Sequence, residues 1–193
     1  MNLISNNCVG ARIYEVSSMQ FNNPFTWCSF DFLDFKKLII NFNNIDFFKP
    51  KIQIENYKDR CFSILCEFDY DIKVHYIHYI YDKQQTIKQH PDVKSKTIIQ
   101  YFTEVYFRRL ERMVEQNEQP TFLLTFNYTK KDYKDYDKYL NEFIKLDKNN
   151  LYIFIHDCKD TPIKTQTNVI KFSDKIMNLK GVDFCKYTKT LFF

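Results

Sequence analysis

The sequence predicts an α/β fold, a single domain over residues 1–193, with a mostly parallel central sheet flanked by helices. An antiparallel edge or insertion is expected from residues 51–81. Two observations carry the class. The runs Thr121–Phe126 and Leu151–Ile155 are almost wholly apolar, as strands covered on both faces require. A helical pattern at about 132–145 separates them, giving the strand–helix–strand order of a parallel crossover.

The elements follow in chain order. Leu3 to Ser5 is a short strand, Asn6-Asn7 a turn, and Val9 to Ser17 a helix with Ile13 and Val16 on one face, so Cys8 falls at a helix start. Phe21–Trp27 is an aromatic loop. A helix capped at Ser29 or Asp31 runs to about Asn43 and buries Phe32, Phe35, Leu38, Ile39 and Phe42. Strands are expected at Lys51–Asn56, Cys61–Phe68 and Asp71–Tyr81, the last with Ile72, Val74, Tyr76, His78 and Ile80 on one face. The polar stretch Gln84–Asp92 is a loop. Then comes a long helix from about Val93 to Glu115 with the stripe Ile98, Phe102, Val105/Tyr106, Leu110, Met113. Short strands at Val169–Phe172 and Val182–Cys185 complete the chain. If the first strand runs parallel to the two apolar ones, Cys8, Asn127 and His156-Asp157-Cys158 meet at one rim, where open α/β sheets bind ligands.

Composition narrows the function. With 45% hydrophobic and 18% aromatic residues, 2 Gly and 5 Pro, the chain is neither disordered nor low-complexity. Lys plus Arg is 28 against 24 Asp plus Glu, a net charge of +4 without a basic run, so nucleic acid is not an expected partner. The N-terminus carries no signal-peptide pattern and no apolar run approaches membrane-span length, so a soluble, cytoplasmic chain is expected. None of the six cysteines forms a C-x-x-C pair. Two glycines cannot build a phosphate cradle, zinc-ligand spacing is absent, and Asp69-Tyr70-Asp71 matches a metal-binding D-x-D in letters only. No metal and no cofactor are expected.

Cys8 is the sharpest chemical candidate. Amides and the positive dipole end at a helix start favour thiolate and can hold an oxyanion, and Gly10 leaves room for close approach of a substrate. The alternative is a thiol packed beneath the first helix. His75 and His78 lie on opposite faces of their strand, so only one can serve as base to Cys8, and His156 competes with both. Arg108 and Arg112, one turn apart on one helix face, suit a carboxylate or phosphate; a solvated helix face is the plainer alternative.

The opening Ile4-Ser5-Asn6-Asn7-Cys8-Val9-Gly10, with Ile13-Tyr14 and Asn23-Pro24-Phe25, resembles a bacterial family of exopolysaccharide-biosynthesis proteins, domain of unknown function nineteen-nineteen. Asp71, His78-Tyr79 and the Arg108–Arg112 cluster fit that family's pattern, and the resemblance spans about residues 1–157. Pro24-Phe25-Thr26-Trp27 is similar to a PFDW motif in a sister group described as papain-like cysteine peptidases, with Thr26 in place of its aspartate. The resemblance implies Cys8 and His78 as the functional pair and a place in capsule or exopolysaccharide biosynthesis. Asn127 or Asp157 can then orient the base, in the papain-like order Cys, His, Asn/Asp. Asn7, Gly10 and Trp27, from these motifs, are assigned to substrate binding with Arg108 and Arg112.

Two function classes result. One is a cysteine-nucleophile transferase or hydrolase acting on an acyl, ester or amide substituent of a surface polysaccharide or its precursor. The other is a non-catalytic binding or assembly module of such a pathway. The partner in either is a saccharide or activated saccharide precursor.

Overall fold

The computed structural model describes residues 2–57, 61–76, 98–127, 136–146, 148–156, 163–166 and 168–172. Its elements are β1 (Leu3–Ser5), α1 (Val9–Val16), α2 (Phe32–Asn41), β2 (Lys51–Tyr57), β3 (Cys61–Phe68), β4 (Ile72–Tyr76), α3 (Ile98–Gln116), β5 (Thr121–Asn127), α4 (Tyr136–Ile144), β6 (Leu151–His156), β7 (Ile163–Gln166) and β8 (Val169–Phe172). They form the expected α/β fold. One sheet has the order β1-β5-β6-β8-β7, parallel except for the antiparallel edge strand β7, and the other is the antiparallel β2-β3-β4. The chain groups into two compact units, Met1–Phe21 with Gln119–Phe193, and Asn22–Glu118.

In the first unit the parallel sheet is buried on both faces, which is why its middle strands are nearly unbroken apolar runs. Leu3, Leu123, Phe154 and Ile170, one from each parallel strand, form a row over which α1 lays Ile13 and Tyr14. Tyr14 also accepts a hydrogen bond from the Leu3 amide at 2.9 Å, satisfying a backbone donor on the outer edge of β1. Phe126 points to the opposite face and meets Phe143 of α4, ring centroids 6.4 Å apart.

The second unit holds the antiparallel insertion, with β2, β3 and β4 in the sequence range expected for it. Ile72, Val74 and Tyr76 are buried on one face of β4, as the alternation requires. Helix α3 presents Phe102, Val105, Tyr106, Leu110 and Met113 to the interior. Asp31 stands at the N-cap of α2, which buries Phe35, Leu38 and Ile39; Phe32 and Phe42, expected in that core, are half-exposed.

The edge strand β7 was not expected. Ile-Lys-Thr-Gln offers no apolar run, because an edge strand need not be covered on both faces. The expected strand at 182–185, the loop at 84–92 and the first turn of the long helix lie outside the described residues. Among the described residues, no helix is long and apolar enough to cross a membrane.

Candidate functional site

The site is built at the carboxyl end of β1. There the chain must leave the sheet and turn into α1 within three residues, and Ser5, Asn6 and Asn7 each spend their side chain on that turn. The Asn6 amide behaves like one more peptide of β1. Its Oδ1 accepts from the Thr125 backbone amide at 2.9 Å and from the Thr125 hydroxyl at 3.2 Å, and its Nδ2 donates to the Thr125 carbonyl at 3.3 Å. Its own backbone amide donates to the Leu123 carbonyl at 3.2 Å. Asn7 Nδ2 donates to the Thr125 hydroxyl, while Asn7 Oδ1 accepts from the Val9 amide at 3.0 Å, capping the helix. Ser5 Oγ donates to the Asn7 carbonyl and accepts from the Gly10 amide at 2.9 Å.

Two expectations change here. The first-turn amides of Val9 and Gly10, expected to be open to an oxyanion, are engaged by Asn7 and Ser5. The space beside Gly10, expected to admit substrate, is filled by Ser5: a Cβ on Gly10 would lie 2.6 Å from Ser5 Oγ and 3.2 Å from Ser5 Cβ. Ser5 cannot swing aside without breaking both its hydrogen bonds. Gly10→Ala is therefore expected to lower stability by about 1–2 kcal/mol, overpacking outweighing alanine's better helix propensity. Urea midpoints check this; an unchanged or raised midpoint would contradict the packing.

Cys8 is half-buried at the helix start, in no disulfide, with helical backbone angles and no side-chain hydrogen bond that caps the helix. Burial pushes its pKa up to about 11, against the positive charge of Arg12 one turn along α1 and a hydrogen bond from its own amide, both of which favour thiolate. This reverses the expected direction: the resting group is the neutral thiol.

His156 and Asn127 are register partners at the last residues of β6 and β5, the same sheet end as the turn that carries Cys8. His78 and Asp157 lie outside the described residues. His75 pairs with Glu55 (Nδ1 to Oε2, 3.6 Å) in the second unit. Trp27, Arg108 and Arg112 also belong to that unit: Trp27 is half-buried with a left-handed backbone (φ 60°), Arg108 is exposed and Arg112 half-buried. Of the assigned residues, Cys8, Asn7, Gly10 and His156 thus share the sheet rim.

Asn6 and Thr125 in the site, and Arg109 in the second unit, were given no role of their own from the sequence. Asn6 and Thr125 lock the turn, and Thr125 carried a signal, as a polar residue inside an apolar strand. Arg109, rather than Arg108 or Arg112, donates to the buried Thr26 hydroxyl. Its signal was helical spacing, three residues after buried Tyr106 and seven after buried Phe102. No protein-family model and no curated protein matches the chain.

Proposed function

We propose that the chain is a cysteine-nucleophile transferase or hydrolase acting on an acyl, ester or amide substituent of a surface polysaccharide or its precursor. The observation that carries this reading is the placement of Cys8: half-exposed, on a turn pinned by seven side-chain hydrogen bonds among Ser5, Asn6, Asn7, Thr125, Val9 and Gly10, at the carboxyl end of a parallel sheet. A neutral resting thiol needs a base. In the proposed reaction Cys8 Sγ attacks the substrate carbonyl while an imidazole takes the thiol proton and returns it to the departing alcohol or amine. Water or a sugar hydroxyl then cleaves the thioester and restores the thiol. Register supports His156 as that base, and the family resemblance supports His78. The saccharide substrate rests on the resemblance alone.

A second reading, a non-catalytic saccharide-binding or assembly module, is favoured by one specific observation: the Val9 and Gly10 amides are already engaged. The two readings part on acyl trapping. With p-nitrophenyl acetate near pH 7, the enzyme reading expects a saturable burst and an acetyl group on the Cys8 peptide, both lost in Cys8→Ser. Acetylation scattered over lysines, without a burst and unchanged in Cys8→Ser, would leave the binding module.

A further inference from the structure

The antiparallel sheet of the second unit has an edge without the usual defences. Among the described residues, β2 pairs with β3 on one side and has no strand on the other. It runs for seven residues, Lys51–Tyr57, and its register with β3 holds from end to end without a bulge. Edge strands ordinarily carry a bulge, a proline or an inward-pointing charge, because their outer N–H and C=O groups template pairing with another chain. In β2, Pro50 and Lys51 guard only the first end, and the middle turns two isoleucines inward.

Register fixes the two faces. Ile52 lies opposite Cys66, and Ile54 lies opposite Ile64, which in turn lies opposite Tyr76. Tyr76 meets Phe102 of α3, so this is the face that the helix covers. Cys66, Ile64 and Tyr76 are buried there, yet Ile54 stays 42% exposed at the edge. Lys51, Gln53 and Glu55 alternate onto the other face. Lys51 is exposed and reaches Glu67 at 2.8 Å, while Glu55 is half-exposed and faces His75 at 3.6 Å.

The order Lys51-Ile52-Gln53-Ile54-Glu55 is its own complement when run antiparallel. A second copy must set residues of equal parity opposite each other, so that both inner faces stay on one side of a continuous sheet. Centred on Gln53, such a pairing puts Lys51 opposite the partner's Glu55 and Ile52 opposite the partner's Ile54, each twice by symmetry. Centred on Ile54, it faces Lys51 with Tyr57 and Gln53 with Glu55, and no unlike charges meet. Centred on Ile52, it faces Ile54 with Pro50, which has no N–H to give. Opposed unlike charges and β-branched pairs favour antiparallel pairing, and like charges oppose it. An ammonium has three donors, so Lys51 can keep Glu67 while reaching a second carboxylate.

We propose that β2 is a self-association edge: two copies of the chain pair their β2 strands antiparallel about a two-fold axis at Gln53, joining two three-stranded sheets into one of six strands. The surface lies in the second unit and stands independently of the chemistry at Cys8. A single strand edge is small for an interface, so the dimer is weak, with a dissociation constant of about 1–100 μM.

Sedimentation equilibrium of the full chain from about 1 to 500 μM tests this, and the wild type is expected to pass from monomer to dimer within that range. Ile54→Lys places a charge inside the paired edge, while in the monomer its head reaches solvent. The variant is expected to melt within a few degrees of wild type and to dimerise about tenfold more weakly. Charge variants test the register. Lys51→Glu and Glu55→Lys each oppose like charges and are expected to weaken the dimer about tenfold, whereas their equimolar mixture restores both unlike pairs and is expected to associate about as tightly as wild type. The mixture and its components lose the same ion pairs within each chain, so the difference between them reads pairing between chains alone. A wild type that stays monomeric, a dimer unchanged by Ile54→Lys, or a mixture no tighter than its components would overturn the pairing.

Discussion

Asn6→Ala is expected to lower the unfolding free energy by about 2–4 kcal/mol, more than its small side chain would suggest. Asn6 is 6% exposed, and its amide satisfies both the backbone N–H and the C=O of Thr125 beyond the last residue of β1. Alanine cannot replace either bond, and each orphaned buried group costs about 1–3 kcal/mol. Asn6→Asp keeps the acceptor and loses the donor, so it should fall between the two. Urea unfolding followed by circular dichroism gives the ordering wild type, Asp, Ala, with unchanged slope. If alanine costs less than about 0.5 kcal/mol, a surface-like value, the turn is not held as described.

Alkylation of native Cys8 by iodoacetamide near pH 7.5 is expected to run about 100-fold slower than that of a simple free thiol. Its rate should climb about tenfold per pH unit toward the thiol pKa of about 11. The reason is a contest of magnitudes. A helix terminus contributes about 0.3–1 kcal/mol, less than one pKa unit, whereas desolvation can move a group by several. At α1 the helix contribution is weaker still, because two first-turn amides point at Asn7 and Ser5 rather than at sulfur. The shift also bears on stability. A thiol whose folded pKa lies above its unfolded value of 9.0 adds stability that is full below that value and is lost as pH rises through about 11. Mass spectrometry of the Cys8 peptide over a pH series measures the rate directly; labelling faster than a free thiol at neutral pH would contradict the burial argument.

What could be read from the residues followed the strength of the hydrophobic signal. The runs around Leu123 and Ile153 and the stripe from Phe102 to Met113 gave their elements because burial alone decides them. Strand β7 escaped because an edge strand leaves no such record. The rim position of Cys8 was legible for the same reason as the sheet, since it follows from parallel order. The thiol's acidity was not. It depends first on how far the fold buries the sulfur, and a sequence shows which groups can cap a helix without showing which amides they take. Asn6 was hidden similarly, quoted within a motif while its partner Thr125 lies 119 residues away. Among the arginines, helix-face spacing favoured Arg108 and Arg112 as a pair, but proximity to the buried stripe selected Arg109.

The central claim is that Cys8 reacts as a neutral thiol relieved of its proton by an imidazole. The most direct measurement is the pH dependence of acyl transfer to Cys8 from p-nitrophenyl acetate, set beside the iodoacetamide profile of the same protein. A bound ester is held for the base, whereas a small alkylating agent samples free thiolate. The account predicts an acylation rate that rises through the imidazole range, about pH 6–7, and levels off above it, and that His156→Ala or His78→Ala removes this plateau. An acylation rate that shows no plateau and tracks alkylation up to about pH 11 would contradict it, leaving Cys8 a buried thiol without a base.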